Sequence, residues 1–311
     1  MTDLAPTRQS SLLTANLICM ASMLIWAAGL PAADHLIPLL IPEHLNALRM
    51  SLAGGFLVVM WALLEGFGPL HRTNWLKGIA VGSLIGLGAW FLIKGQAIGG
   101  AVTAAVISST LPVVGIALEV VLDGRKVTLA LILGLVLSLI GGVMALDLGA
   151  GGAGGGGLSL AWGALLCFGS VVTFAIGSRL TVTAFPKETP LGRTAVTLVG
   201  AAIAALLVAG GQVGFGGAMP SFATWGAKEI GAILLFSVGA LGISQVMWIM
   251  SVERLGIGLS ALHINAAPFY VMIILFGLGG SWSWPQAFAA ALVGLGVLIA
   301  QGILPLPFGR R

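Results

Sequence analysis

The chain has 311 residues, 58% of them hydrophobic and only 8% charged, with a formal net charge of +4. A soluble domain carries about 25% charged residues, and a mean hydropathy of +1.09 leaves too little charge to cover a water-facing surface. That excludes a soluble globular protein, and 14 Lys and Arg spread over short loops exclude a nucleic-acid-binding face.

Residues 1–11 form a polar tail. The first apolar span, Leu12–Leu30, is expected to stop before Pro31 and holds Asn16, Cys19 and Trp26. Trp26 sits near the expected helix end and reads as a membrane-interface residue. A loop at 31–43 leads to His44–Leu64. There Arg49 either snorkels to the interface or faces an aqueous cavity. After a second loop, 65–74, the third span Trp75–Ile93 carries Gly78, Gly82, Gly86 and Gly88, small surfaces against which neighbouring helices can pack. It is expected to close at Lys94, Gly95 and Gln96. The fourth span, Ala101–Leu122, contains Ser108, Ser109, Thr110 and Pro112, and a polar turn at Asp123–Lys126 separates it from the fifth, Val127–Leu146.

Gly149–Gly157 reads as a flexible connector. No Gly-Lys-Ser or Gly-Lys-Thr follows it, so it is not a phosphate-binding loop. Five more spans follow, near Leu158–Thr181, Thr194–Ala209, Lys228–Met250, Gly258–Leu278 and Trp284–Leu304. Cys19 and Cys167 lie in apolar runs and predict free thiols rather than a disulfide framework.

The two halves match. Pro112 and Pro268 are 156 positions apart, as are Ala105 and Ala261, and that offset is half the chain. Each proline removes a backbone donor inside an apolar run, with small and polar residues just before it. The expected fold is therefore all-α and polytopic, with ten transmembrane helices in two five-helix repeats. Residues 1–147 form the first repeat, 148–157 the connector and 158–311 the second repeat. An odd number of spans per repeat makes the copies inverted. Placing the amino terminus in the cytoplasm puts eleven Lys and Arg on that side against Arg49, Lys94 and Lys228 on the other. Both termini are predicted to be cytoplasmic.

The four histidines do not form a metal-ligand motif, and no cofactor is implied. With no ATP-binding or nucleophile motif, the reading is a carrier and not an enzyme. An integral-membrane enzyme or scaffold acting on a lipid-linked substrate is the alternative. His263 in an apolar helix either contacts substrate or titrates in a cavity, or makes an interhelical hydrogen bond. Asn265 is either a pathway residue or helix glue. Ser108 and Ser109 either line the pathway or satisfy carbonyls that Pro112 frees. Trp90, Trp248 and Tyr270 are candidate cavity walls, and Gln245 lies on the same helix face as Trp248. Pro112 and Pro268 are candidate gating points. Coupling runs either through His263 protonation or by passive or exchange-driven transport.

Trp90–Gly100 followed by Ile107-Ser108-Ser109-Thr110-Leu111-Pro112, then Asp123-Gly124-Arg125-Lys126 and Gly134–Val143, resembles the drug/metabolite transporter superfamily, in particular its ten-helix EamA-type exporters. Glu253-Arg254-Leu255-Gly256 and His263–Pro268 carry the same resemblance in the second half, which departs from it at Gly279–Pro285. The resemblance implies secondary export of small metabolites, amino acids above all, across the bacterial inner membrane by alternating access. An aromatic amino acid exporter is one branch that the sequence looks like. Its partners would be a small-molecule substrate and membrane lipids, with no nucleic acid, around a monomer.

Overall fold

The computed structural model describes residues 4–144, 157–277, 279 and 282–304. The connector apart from Gly157, together with Asp147, Gly280, Arg310 and Arg311, lies outside the described residues. Among the described residues the chain is helical. Its elements are α1 (Leu4–Leu36), α2 (Pro42–Glu65), α3 (Phe67–Arg72), α4 (Trp75–Ser108), α5 (Leu111–Asp123), α6 (Leu129–Met144), α7 (Gly157–Thr183) and α8 (Pro190–Gly214). Then come α9 (Ala227–Leu234), a π-helical segment Leu235–Ile243, α10 (Ser244–Leu255), α11 (Ile257–Leu262), a 3-10 segment His263–Ala266, α12 (Ala267–Gly277) and α13 (Trp284–Ala300).

Local chemistry sets many of the ends. Pro42, Pro112 and Pro190 each stand in a first helical turn, where the missing N–H costs nothing. Thr189 caps α8 by accepting a hydrogen bond from the Gly192 amide at 3.1 Å. Gly124, with φ of 65°, takes the left-handed conformation that ends α5.

Among the described residues, six stretches are long and apolar enough to cross a bilayer: Leu12–Ala33, Pro42–Glu65, Trp75–Gly95, Ala161–Thr183, Pro190–Gly214 and Ala227–Leu255. Their outward faces are apolar. Leu63 and Leu64 on α2 and Leu207 on α8 are each more than 70% exposed, a surface that suits lipid. The protein is an all-α polytopic membrane protein.

Several boundaries differ from the sequence expectation. Pro31 does not end α1, which runs on to Leu36; membrane helices tolerate an internal proline when neighbours satisfy the freed carbonyl. The expected loop at Lys94–Gly100 is helical, and α4 continues to Ser108. The glycines there weaken a helix by only about 1 kcal/mol each, and Lys94 is paired with Glu43 at 2.5 Å, which holds it against α2. The break falls instead at Ser109-Thr110, where the Thr110 hydroxyl and amide both return to the Ile107 carbonyl. Pro112 obstructs helix continuation through the residues before it. The expected span Ala101–Leu122 is thus split between α4 and α5.

The second proline follows the same rule. The 3-10 segment His263–Ala266 ends just before Ala267-Pro268, and its last two residues stand 156 positions after Ser109 and Thr110. Loop 65–74 contains α3, and α8 extends to Gly214, beyond the expected Ala209.

Helices from the two halves interleave through glycine. A Cβ built at Gly200 of α8 would lie 2.7 Å from the Ile79 Cα of α4. One at Gly296 of α13 would lie 2.8 Å from the Ser138 amide of α6. Such contacts bring backbones together in lipid, where packing rather than water exclusion drives association.

Candidate functional site

A cavity of about 520 Å³ lies inside the bundle. Trp26 of α1, Arg49 of α2, Ser108 of α4, Phe174 of α7, Phe236 of the π segment, and Gln245 and Trp248 of α10 all line it. Ile37 and Leu40 of the turn after α1, Leu111 of α5 and Ile264 of the 3-10 segment also belong to the lining. The size suits a small organic molecule.

The walls are mostly rings. Phe174 and Trp248 have centroids 5.9 Å apart, and the Trp248 indole donates to the Ser178 hydroxyl at 3.2 Å, which fixes its plane. The Arg49 guanidinium sits 4.1 Å from the centre of the Phe236 ring, a cation–π contact that offsets part of its desolvation. The π segment adds a residue to the local turn just before Ser244 and Gln245, and such distortions recur at binding sites. Among the described residues, no aspartate or glutamate lines this cavity.

The sequence candidates separate into groups. Ser108, Gln245 and Trp248 share the cavity. Ser109 lies in the turn beside it, and Pro112 is buried in the first turn of α5, next to Leu111 of the lining. Trp90 is directed to Glu43, with its indole nitrogen 3.5 Å from the carboxylate.

Asn265 donates to the Ser138 hydroxyl at 3.0 Å, and Ser138 donates to the Leu262 carbonyl at 3.2 Å. That arrangement ties α6 to the 3-10 segment. His263 and Tyr270 line a second space of about 760 Å³ with Asn16, among α1, α12 and α13, and the His263 ring nitrogen Nδ1 is 3.3 Å from the Leu259 carbonyl. Pro268 is in the first turn of α12.

Trp26 is the residue that sequence reasoning misplaced. Because α1 continues to Leu36, Trp26 is far from the helix end and lines the cavity. Of the two readings of Arg49, the structure selects the cavity.

Polar latches mark the two ends of the bundle. Where α5, α7 and α10 end and α8 and α11 begin, Arg125 pairs with Glu119, Arg179 with Asp123, and Arg193 with Glu253. Glu119 also accepts the Gly258 amide at 3.0 Å. The exposed Asp123 carboxyl is held below the usual carboxylate range by its hydrogen bond from Arg179. At the opposite end His35 lies 3.0 Å from Glu229, and Lys94 pairs with Glu43.

A lipid-facing helical bundle around an interior cavity defines a multi-pass membrane protein. Residues 13–146 match the EamA-like transporter family. The chain is 26% identical over 272 residues to "Uncharacterized transporter YyaM" of Bacillus subtilis (strain 168), covering 86% of each. A solved crystal structure shares the fold with a TM-score of 0.75 at 23% identity, over 93% of this chain and 97% of that one. The first half of the chain is thus similar to the EamA-like transporters, and the solved structure shares the fold along nearly the whole chain.

Proposed function

We propose that the protein exports small organic metabolites, amino acids foremost, across a bacterial inner membrane by alternating access through the ring-walled cavity. The observation that carries this reading is the pair of helix interruptions at matched positions, Ser109-Thr110 and Asn265-Ala266, each next to residues that line the cavity, Ser108 and Leu111 for the first and Ile264 for the second. They support ten spans in two inverted repeats, 1–147 and 158–311, joined by 148–157, with both termini cytoplasmic. In that orientation the cavity reaches the outer end of the bundle near Ile37, while the ion pairs around Glu119 close the cytoplasmic end.

Purified protein in liposomes is expected to exchange radiolabelled amino acids. Ser108→Leu, which extends a larger side chain into the cavity, should lower that flux about tenfold or more while leaving the protein folded. Flux of other metabolites without amino acids would redirect the substrate class. Flux of no solute, together with turnover of a lipid-linked substrate, would overturn the transport reading.

Pro112 and Pro268 serve in this scheme as the bending points of the gate. Pro112→Ala and Pro268→Ala are each expected to slow exchange several-fold at matched protein abundance. Wild-type flux from both variants would remove the hinge role and leave the cavity standing.

A further inference from the structure

The cavity has one unmatched charge. Among the described residues Arg49 has no carboxylate within ion-pair distance, and its Nε is buried without a hydrogen-bond partner. The nearest acid in sequence on α2, Glu43, is already engaged by Lys94. In the lining of the same cavity, the side-chain nitrogen of Gln245 is also buried without a partner. A buried guanidinium without a counter-charge is costly in a membrane protein, and such residues mark binding pathways. Here two donors stand unpaired in one cavity whose other walls are rings, aliphatic side chains and three serine hydroxyls.

We propose that Arg49 and Gln245 form the receptor for the carboxylate of an apolar organic acid, with Trp26, Phe174, Phe236 and Trp248 holding its body. This rests on the transport reading above and narrows its substrate. The Arg49 fork suits a carboxylate, and charge-assisted hydrogen bonds to it are roughly twice as strong as neutral ones. Among the described residues, a substrate ammonium finds no acidic partner in this lining. It meets only the hydroxyls of Ser108, Ser170 and Ser244, the Gln245 carbonyl oxygen and ring faces. The carboxylate is therefore the required group, and the amino group is dispensable.

Binding to the purified full-length protein in detergent tests this, followed by calorimetry and by tryptophan fluorescence, since Trp26 and Trp248 line the cavity. The probes are phenylalanine, 3-phenylpropanoate and phenylalaninamide. The two carboxylates are expected to bind within about threefold of each other. The amide, and the carboxylates with Arg49→Gln, should each be weaker by roughly 30-fold, a loss of about 2 kcal/mol. Arg49→Lys keeps the charge without the fork and should recover part of the affinity. Gln245→Met is a second variant whose weaker carboxylate binding does not depend on the Arg49–Phe236 contact, and thermal unfolding checks the fold of each. Equal binding of amide and carboxylates, or unchanged affinity in folded Arg49→Gln, overturns the receptor while leaving transport intact. No binding of either carboxylate at millimolar concentration also overturns it, and flux of other solutes in liposomes then decides the transport reading separately.

Discussion

Gly82→Leu is expected to abolish recoverable folded protein. A Cβ at Gly82 would overlap the Thr197 carbonyl oxygen and stand 2.7 Å from the Ala201 amide and 2.8 Å from the Gly200 Cα. All three are backbone atoms of α8, so none can turn aside as a side chain would. The helices would have to separate, undoing the neighbouring contacts of Gly78 with Val196 and of Gly86 with Ala201. Overpacking of a core costs about 1–3 kcal/mol when side chains can adjust, and here they cannot. Gly55 on α2 provides the control, since nothing lies within 4 Å of a Cβ built there. Gly55→Leu should express and unfold like the parent. Size-exclusion profiles and thermal unfolding compare the two, and equal yields of folded protein would refute the close-approach argument.

Glu119→Ala is expected to open the end of the bundle that its ion pairs close. Glu119 is buried, accepts the Gly258 amide and pairs with Arg125. It therefore clasps α5 to the first turn of α11, beside the close approach of Gly115 and Gly258. Removing it leaves a helix-start amide unpaired and Arg125 without its acid. Breaking a buried pair from one side costs about 3–5 kcal/mol, enough to change which end of the cavity is accessible.

Thiol labelling of Ser108→Cys reads that change. Cys19 and Cys167 are both buried free thiols, and replacing them by alanine clears the background. In the Glu119→Ala variant, labelling from the side of the Glu119 cluster should rise by at least about tenfold. Glu119→Gln retains an acceptor for Gly258 and should give a smaller rise. Arg179→Ala removes the pair with exposed Asp123 but leaves the Glu119 bonds to Arg125 and Gly258 in place, and exposed pairs are worth about 0–1 kcal/mol, so it should change little. Unchanged labelling in Glu119→Ala would show that the clasp does not hold this end shut.

Much of this protein is legible along the chain because the governing rules are local. Few charges and long apolar runs require a membrane, since every buried backbone group must be satisfied within its own helix. Pro112 and Pro268 interrupt their helices within a few residues because the missing N–H and the ring act on the preceding turn. The pairing of Gln245 with Trp248 follows from helical spacing alone.

Other features depend on partners far away in sequence. Nothing near Lys94 announces that the helix continues through it, because the acid that holds it, Glu43, comes from α2. The π segment Leu235–Ile243 has no distinct local signature, yet it shapes the wall at Phe236 and Leu241.

His263 and Asn265, only two residues apart, serve different surroundings. The 3-10 segment brings one to the space beside Asn16 and the other to Ser138 of α6. The sequence by itself determined the membrane class, the free thiols and the broken helices, because hydropathy and backbone geometry are properties of short segments. Only the tertiary structure decided that Trp26, Arg49, Ser108 and Gln245 meet at one cavity, because each comes from a different helix and packing alone sets which faces turn inward.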